Sequence, residues 1–227
     1  MGAPSSNLGV PNRRPEASDH LVPGAFMNLA TPLDIPRWEW RTFAPSLANL
    51  SAFLPVGADV RCEDAHEICF LCPCSLHEVL IRGHVLQLRW RKQVGPEGLE
   101  LWDTVFHSAF PIPAEVVLRL FEVWGTPAPH LLRPDYSEAQ FLQEVVPECP
   151  DLRAVHIHAC SKSFFLDGAG CQLIELSTNQ GKLDCFCIEH EDPGLALQVI
   201  RRLGLQPWAN TSYPQGLKSA LLFSPQH

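Results

Sequence analysis

The chain of 227 residues holds no apolar run near the roughly 18 residues that a membrane-spanning helix requires, which excludes a helical span. Basic residues are also in short supply. Seventeen Lys and Arg against 25 Asp and Glu give a formal net charge of −8, which argues against a nucleic-acid partner. A Gly-x-Ser-x-Gly elbow, a Gly-Lys-Ser phosphate loop and a dinucleotide glycine fingerprint are all absent, so no chemistry of those kinds is marked locally. No internal repeat, heptad or collagen period is present. The sequence opens without a signal-peptide pattern, and nine cysteines cannot all pair within one chain. Both features predict reducing, cytoplasmic surroundings and no membrane contact.

The apolar content of 46% supports a folded body with one good-sized core. Residues 1–35 are rich in Pro, Ser, Asn, Gly and Ala without a sustained period, and read as a flexible leader to a single domain over 36–227. That domain opens on Arg37-Trp38-Glu39-Trp40-Arg41-Thr42-Phe43. As a strand it sends Arg37, Glu39, Arg41 and Phe43 one way and Trp38, Trp40 and Thr42 the other. The indoles suit burial against a packed layer, and the charged face suits a polar tunnel.

Residues 45–54 carry a short helical pattern, with Leu47, Leu50 and Leu54 at spacings of three and four. Strands are predicted over 66–71, 79–82, 85–92 and 99–110, with a tight hairpin centred on Gly83 and a turn at Gly95-Pro96-Glu97-Gly98. Helices are predicted over 113–124, ended by Gly125, and from a capping box at Ser137 to Val146. Strands return over 153–166, 171–177 and 183–191, and Asp192-Pro193 opens a helix that Gly204 ends. Short connections favour antiparallel pairing, so the expected fold is α+β: an eight-stranded antiparallel barrel with surrounding helices.

Strand parity then nominates polar faces. Gln87, Arg89 and Arg91 fall together, as do Cys185, Cys187, Glu189 and Glu191, and likewise His156, His158, Cys160 and Lys162. Any one of these could be a solvated outer face, since antiparallel sheets commonly wet one side. Taken as tunnel faces, they mix guanidinium and ammonium donors for phosphate oxygens with carboxylates for hard divalent cations such as Mg2+ or Mn2+. A chamber of both signs suits a phosphorylated small molecule or polyphosphate that arrives with a metal.

Five segments carry a family resemblance: Trp38-Glu39-Trp40-Arg41-Thr42-Phe43, Ile81-Arg82, Glu175-Leu176, Ile188-Glu189-His190-Glu191-Asp192-Pro193 and Asn210-Thr211-Ser212-Tyr213-Pro214. In this order they resemble bacterial CYTH-like proteins of the triphosphate tunnel metalloenzyme superfamily, over about residues 36–222. The resemblance implies an eight-stranded tunnel that binds and hydrolyses triphosphates with a divalent metal. It implies phosphate binding by Arg41, Arg82, Arg89 and Lys162, metal binding by Glu39, Glu175, Glu189 and Glu191, and catalytic roles for Glu189 and Glu191. The family hallmark Glu-x-Glu-x-Lys reads here as Arg37-x-Glu39-x-Arg41, so the first acidic metal ligand is a cation that cannot hold magnesium. Two outcomes stay open: a phosphohydrolase, or a degenerate tunnel that binds a phosphorylated ligand or protein without turnover.

The cysteines offer a third reading. Cys69-x-x-Cys72-x-Cys74 is a compact thiol cluster, and with Cys185, Cys187 and His156 or His158 it could stabilise an interaction domain through zinc. Standard structural sites pair two such knuckles and only one is present, so buried thiols are expected in place of zinc.

Overall fold

The computed structural model describes residues 35–53 and 60–222, so all of the expected leader except Ile35, together with residue 54 of the first helical pattern, lies outside the described residues. Eight long strands form the body: β1 (Arg37–Ala44), β2 (Arg61–Leu71), β3 (Glu78–Arg82), β4 (Val85–Val94), β5 (Glu100–Ala109), β8 (Arg153–Leu166), β9 (Ala169–Thr178) and β10 (Gly181–His190). The two-residue strands β6 (Ile112–Pro113) and β7 (Asp135–Tyr136) pair separately. The eight close into a barrel in the order β1-β10-β9-β8-β2-β3-β4-β5, every contact antiparallel. This is the α+β, eight-stranded tunnel that the resemblance implied.

Local chemistry explains the element boundaries. Gly83 and His84 both take positive φ, 56° and 63°, which turns β3 into β4 through a two-residue loop. Helix α1 (Ala114–Trp124) follows Pro113 and ends at Gly125, whose φ of 68° is the left-handed stop that glycine permits. Ser137 makes the expected capping box with Gln140, but the segment behind it, 138–148, passes through α, π and 3-10 turns in place of one regular helix. Pro147 within it supplies no N–H for a regular ladder. Asp192 accepts from the N–H of Gly194 at 2.7 Å and opens α2 (Pro193–Arg202). A last helix, α3 (Tyr213–Leu222), has no counterpart in the sequence reading. Within the helical pattern expected over 45–54, residues 48–53 form a 3-10 helix.

Two of the three dry clusters lie outside the barrel wall. Phe70, Leu86, Leu88 and Phe106 pack against Val117, Phe121 and Trp124 of α1. Trp40, Phe186 and Ile188 pack against Leu197, Val199 and Ile200 of α2. The third lies inside the barrel, where Cys69, Leu71 and Leu176, on the same strand faces as the inward Glu67 and Ile174, pack with Tyr213 and Leu217 of α3. Where apolar side chains face α1 and α2, strand alternation sends polar ones inward, as with Glu39, Arg41, Gln87 and Arg89. Among the described residues, no helix is long and apolar enough to cross a membrane.

Candidate functional site

The barrel interior encloses a cavity of about 380 Å³ lined by Arg37, Glu39 and Arg41 of β1, Glu63 and Glu67 of β2, Glu78 and Arg82 of β3, Arg89 of β4 and Glu189 of β10. Four guanidinium groups thus meet five carboxylates. Trp102, Thr104, Ala159, Ser161, Gln172 and Ile174 complete much of the wall. Tyr213 reaches in from α3 and closes one side.

The charges answer one another. Glu39 Oε1 accepts from Arg41 Nε at 2.9 Å, and its Oε2 accepts from Arg89 Nη2 at 2.9 Å. Arg89 Nη1 also reaches Glu78 Oε1 at 3.5 Å, and Arg37 Nη1 donates to Glu189 Oε1 at 3.2 Å. Arg82 pairs across the β2–β3 ladder with Glu67, whose other oxygen accepts from the Tyr213 hydroxyl at 3.2 Å. Arg41 is further fixed from outside its strand. Its N–H donates to Asn210 Oδ1 at 2.6 Å, its carbonyl accepts from Thr211 at 2.7 Å, and its guanidinium lies 5.1 Å from the centre of the Tyr213 ring. The segment Asn210-Thr211-Ser212-Tyr213 therefore serves as a clamp on β1.

Burial divides the carboxylates. Desolvation pushes the Glu39 carboxyl up, but the flanking Arg41 and Arg89 outweigh it and hold the group at about 2. Glu78 shares only Arg89, at a longer distance, and burial wins: its pKa is raised. The inward thiols Cys185 and Cys187 are also raised by burial, Cys185 to about 11, although Arg41 opposes the shift in both.

Of the residues nominated from sequence, Glu39, Arg41, Arg82, Arg89 and Glu189 are brought together here. Three are not. On β8 the inward residues are Ala159 and Ser161, so Lys162 points out and is exposed. Ile174 faces inward on β9, which turns Glu175 outward to pair with Lys182 on the surface at 3.1 Å. Glu191 lies beyond the end of β10 at His190 and is exposed. The face formed by His156, His158, Cys160 and Lys162 is thus an outer face, a correction to the parity reading. Sequence reasoning missed Glu63, Glu67, Glu78 and Tyr213. The alternation Glu63-x-Ala65-x-Glu67 carries the signal for the first two, but β2 starts at Arg61, five residues ahead of the strand predicted over 66–71.

A resident divalent metal is not well served. Glu39, Glu67, Glu78 and Glu189 each already answer an arginine, and the guanidinium of Arg37 stands beside Glu189 as a fixed cation. Among the described residues, the one trio of potential ligands that converges within 4.8 Å lies elsewhere. Nor do the thiols of 69–74 form a metal site: Cys69 and Cys72 are buried, Cys74 is exposed, and Cys72 Sγ is 3.2 Å from the carbonyl of Trp124.

No family model matches the sequence, and no curated protein matches it. Solved structures show similarity at low identity. A protein from Hippeastrum, described as a proposed adenylyl cyclase with a dominant triphosphatase activity, aligns with a TM-score of 0.44 at 11% identity over 78% of this chain and 92% of its own. A Pyrococcus horikoshii protein aligns at 0.44 and 11%, over 80% of this chain and 97% of its own. A proposed adenylate cyclase from Bacillus halodurans aligns at 0.41 and 13%, over 82% and 96%.

Proposed function

We propose that the tunnel binds a triphosphate or short polyphosphate through Arg41, Arg82 and Arg89, without a resident metal and without hydrolysing it. The observation behind this reading is the pairing of Arg37 with Glu189 at 3.2 Å. The carboxylate to which the resemblance assigns both metal and catalysis is answered by a guanidinium that cannot activate water. Planar guanidiniums with several donors suit phosphate oxygens, and three of them line a cavity of about 380 Å³. All nine cysteines are free thiols, in keeping with a cytoplasmic setting.

Charge balance sets how such a ligand is accepted. Each phosphate oxygen that takes a guanidinium releases a glutamate into a buried site. For Glu39, which Arg41 and Arg89 hold low against desolvation, loss of those partners lets burial raise the carboxyl, so it takes up a proton. Binding is therefore coupled to proton uptake and strengthens as pH falls from 8 towards 6. Titration calorimetry with tripolyphosphate in the presence of a chelator tests this. It should show binding, with an enthalpy that depends on buffer ionisation, and a loss of about tenfold or more in Arg82→Gln, whose half-exposed side chain is the least structural of the three. Absence of binding without a divalent metal would reject the reading.

A further inference from the structure

The seam where β2 meets β8 carries a second cluster on its outer face. Register sets Asp64 opposite Cys160 and His66 opposite His158. Residues two apart on a strand share a face, so all four side chains rise from one patch, opposite the tunnel-lining Ala65 and Ala159. Asp64 Oδ1 lies 2.7 Å from His158 Nε2, and Cys160 Sγ lies 3.2 Å from Asp64 Oδ2 and 3.9 Å from His158 Nε2. The ligand atoms of Asp64, His66 and His158 all fall within 4.8 Å of one another, and the two imidazoles stack at 4.8 Å between centroids.

These contacts do not form a catalytic relay. A Cys–His–Asp relay needs one imidazole nitrogen for the thiol and the other for the carboxylate. Here Nε2 of His158 faces both groups, which is convergence on a point. A tetrahedral zinc ion with ligand bonds of about 2.0–2.3 Å spaces its donors about 3.3–3.6 Å apart, so the observed separations bracket that figure.

We propose that Asp64, His66, His158 and Cys160 form a zinc site on the outside of the barrel. Two imidazoles, a thiolate and one carboxylate are the donors a borderline ion such as Zn2+ prefers. The location gives the ion a structural role. Asp64 and Cys160 are 96 residues apart in sequence, and their seam joins the β2-to-β5 meander to the β8-to-β10 meander. An ion held there by the folded chain staples the two halves and raises thermal stability.

Zinc calorimetry and Co2+ absorption spectroscopy on the full chain, stripped beforehand with a chelator, test the site. The expected result is one zinc per chain, a higher melting temperature with zinc, and a tetrahedral Co2+ spectrum with a thiolate charge-transfer band. His158→Ala and, separately, His66→Ala should weaken zinc binding at least tenfold. Cys160→Ser should remove the charge-transfer band, and Cys74→Ser should leave both intact. Melting of the metal-free variants checks that the fold persists, which the exposure of His66 and the partial exposure of His158 favour. The proposal is overturned if zinc does not bind, if both histidine variants bind it as the parent does, or if Cys74→Ser alone removes the band.

Discussion

Glu39 and Glu78 are buried carboxyls that share Arg89, yet their acidities move in opposite directions. Glu39 titrates at about 2 in the fold against an ordinary value of 4.5. Its contribution to stability, on the order of 3 kcal/mol, is therefore present above pH 4.5 and lost as pH falls towards 2. Glu78 has a raised pKa, so its ionisation opposes folding once pH rises above its unfolded value. Glu39→Gln should destabilise the protein by about 3–5 kcal/mol at neutral pH, because Arg41 and Arg89 lose a shared buried counter-charge. Glu78→Gln should instead gain on the parent as pH rises from 4 to 7. Denaturant unfolding across that range measures both, and a large loss in Glu78→Gln at neutral pH would contradict the assignment.

At the scale of elements, α3 holds the tunnel's side wall through a close approach. A Cβ at Gly216 would lie 2.1 Å from Phe43 Cε2 on β1, a contact that β1 or α3 must move to relieve. Gly216→Ala should destabilise by about 1–3 kcal/mol and loosen the hold of Tyr213 on Glu67, read as a lower melting temperature and faster amide exchange in α3. A variant as stable and protected as the parent would show that α3 docks otherwise. Much of the barrel was legible in sequence because alternation is strict where charge faces apolar bulk, as in Arg37-Trp38-Glu39-Trp40-Arg41. The parity of β8 misled because the tunnel needs small side chains opposite its arginines. Ala159 and Ser161 leave that room, while the polar His158 and Cys160 face solvent. Helix α3 went unread because Pro214 and Gly216 dilute its pattern, and its docking on β1 is a tertiary contact that periodicity does not encode.

For the whole molecule, an acidic chain of net charge −8 keeps within its barrel a chamber of four guanidiniums and five carboxylates. Ion pairs join all four guanidiniums to Glu39, Glu67, Glu78 and Glu189, and under the proposed function their exchange for phosphate would couple anion uptake to protons. Arg37 is the pivot of the proposed function, since it occupies the position at which the resemblance would place an acidic metal ligand, and it pairs with Glu189. Arg37→Glu should therefore release Glu189 and make stabilisation by tripolyphosphate depend on magnesium, whereas an unchanged response would remove Arg37 from that role. The most direct measurement compares the parent protein with tripolyphosphate in chelator and in magnesium, recording melting temperature and released phosphate together. The expected result is a rise in melting temperature in both buffers and no phosphate release in either. Magnesium-dependent release that Glu189→Gln abolishes would contradict it.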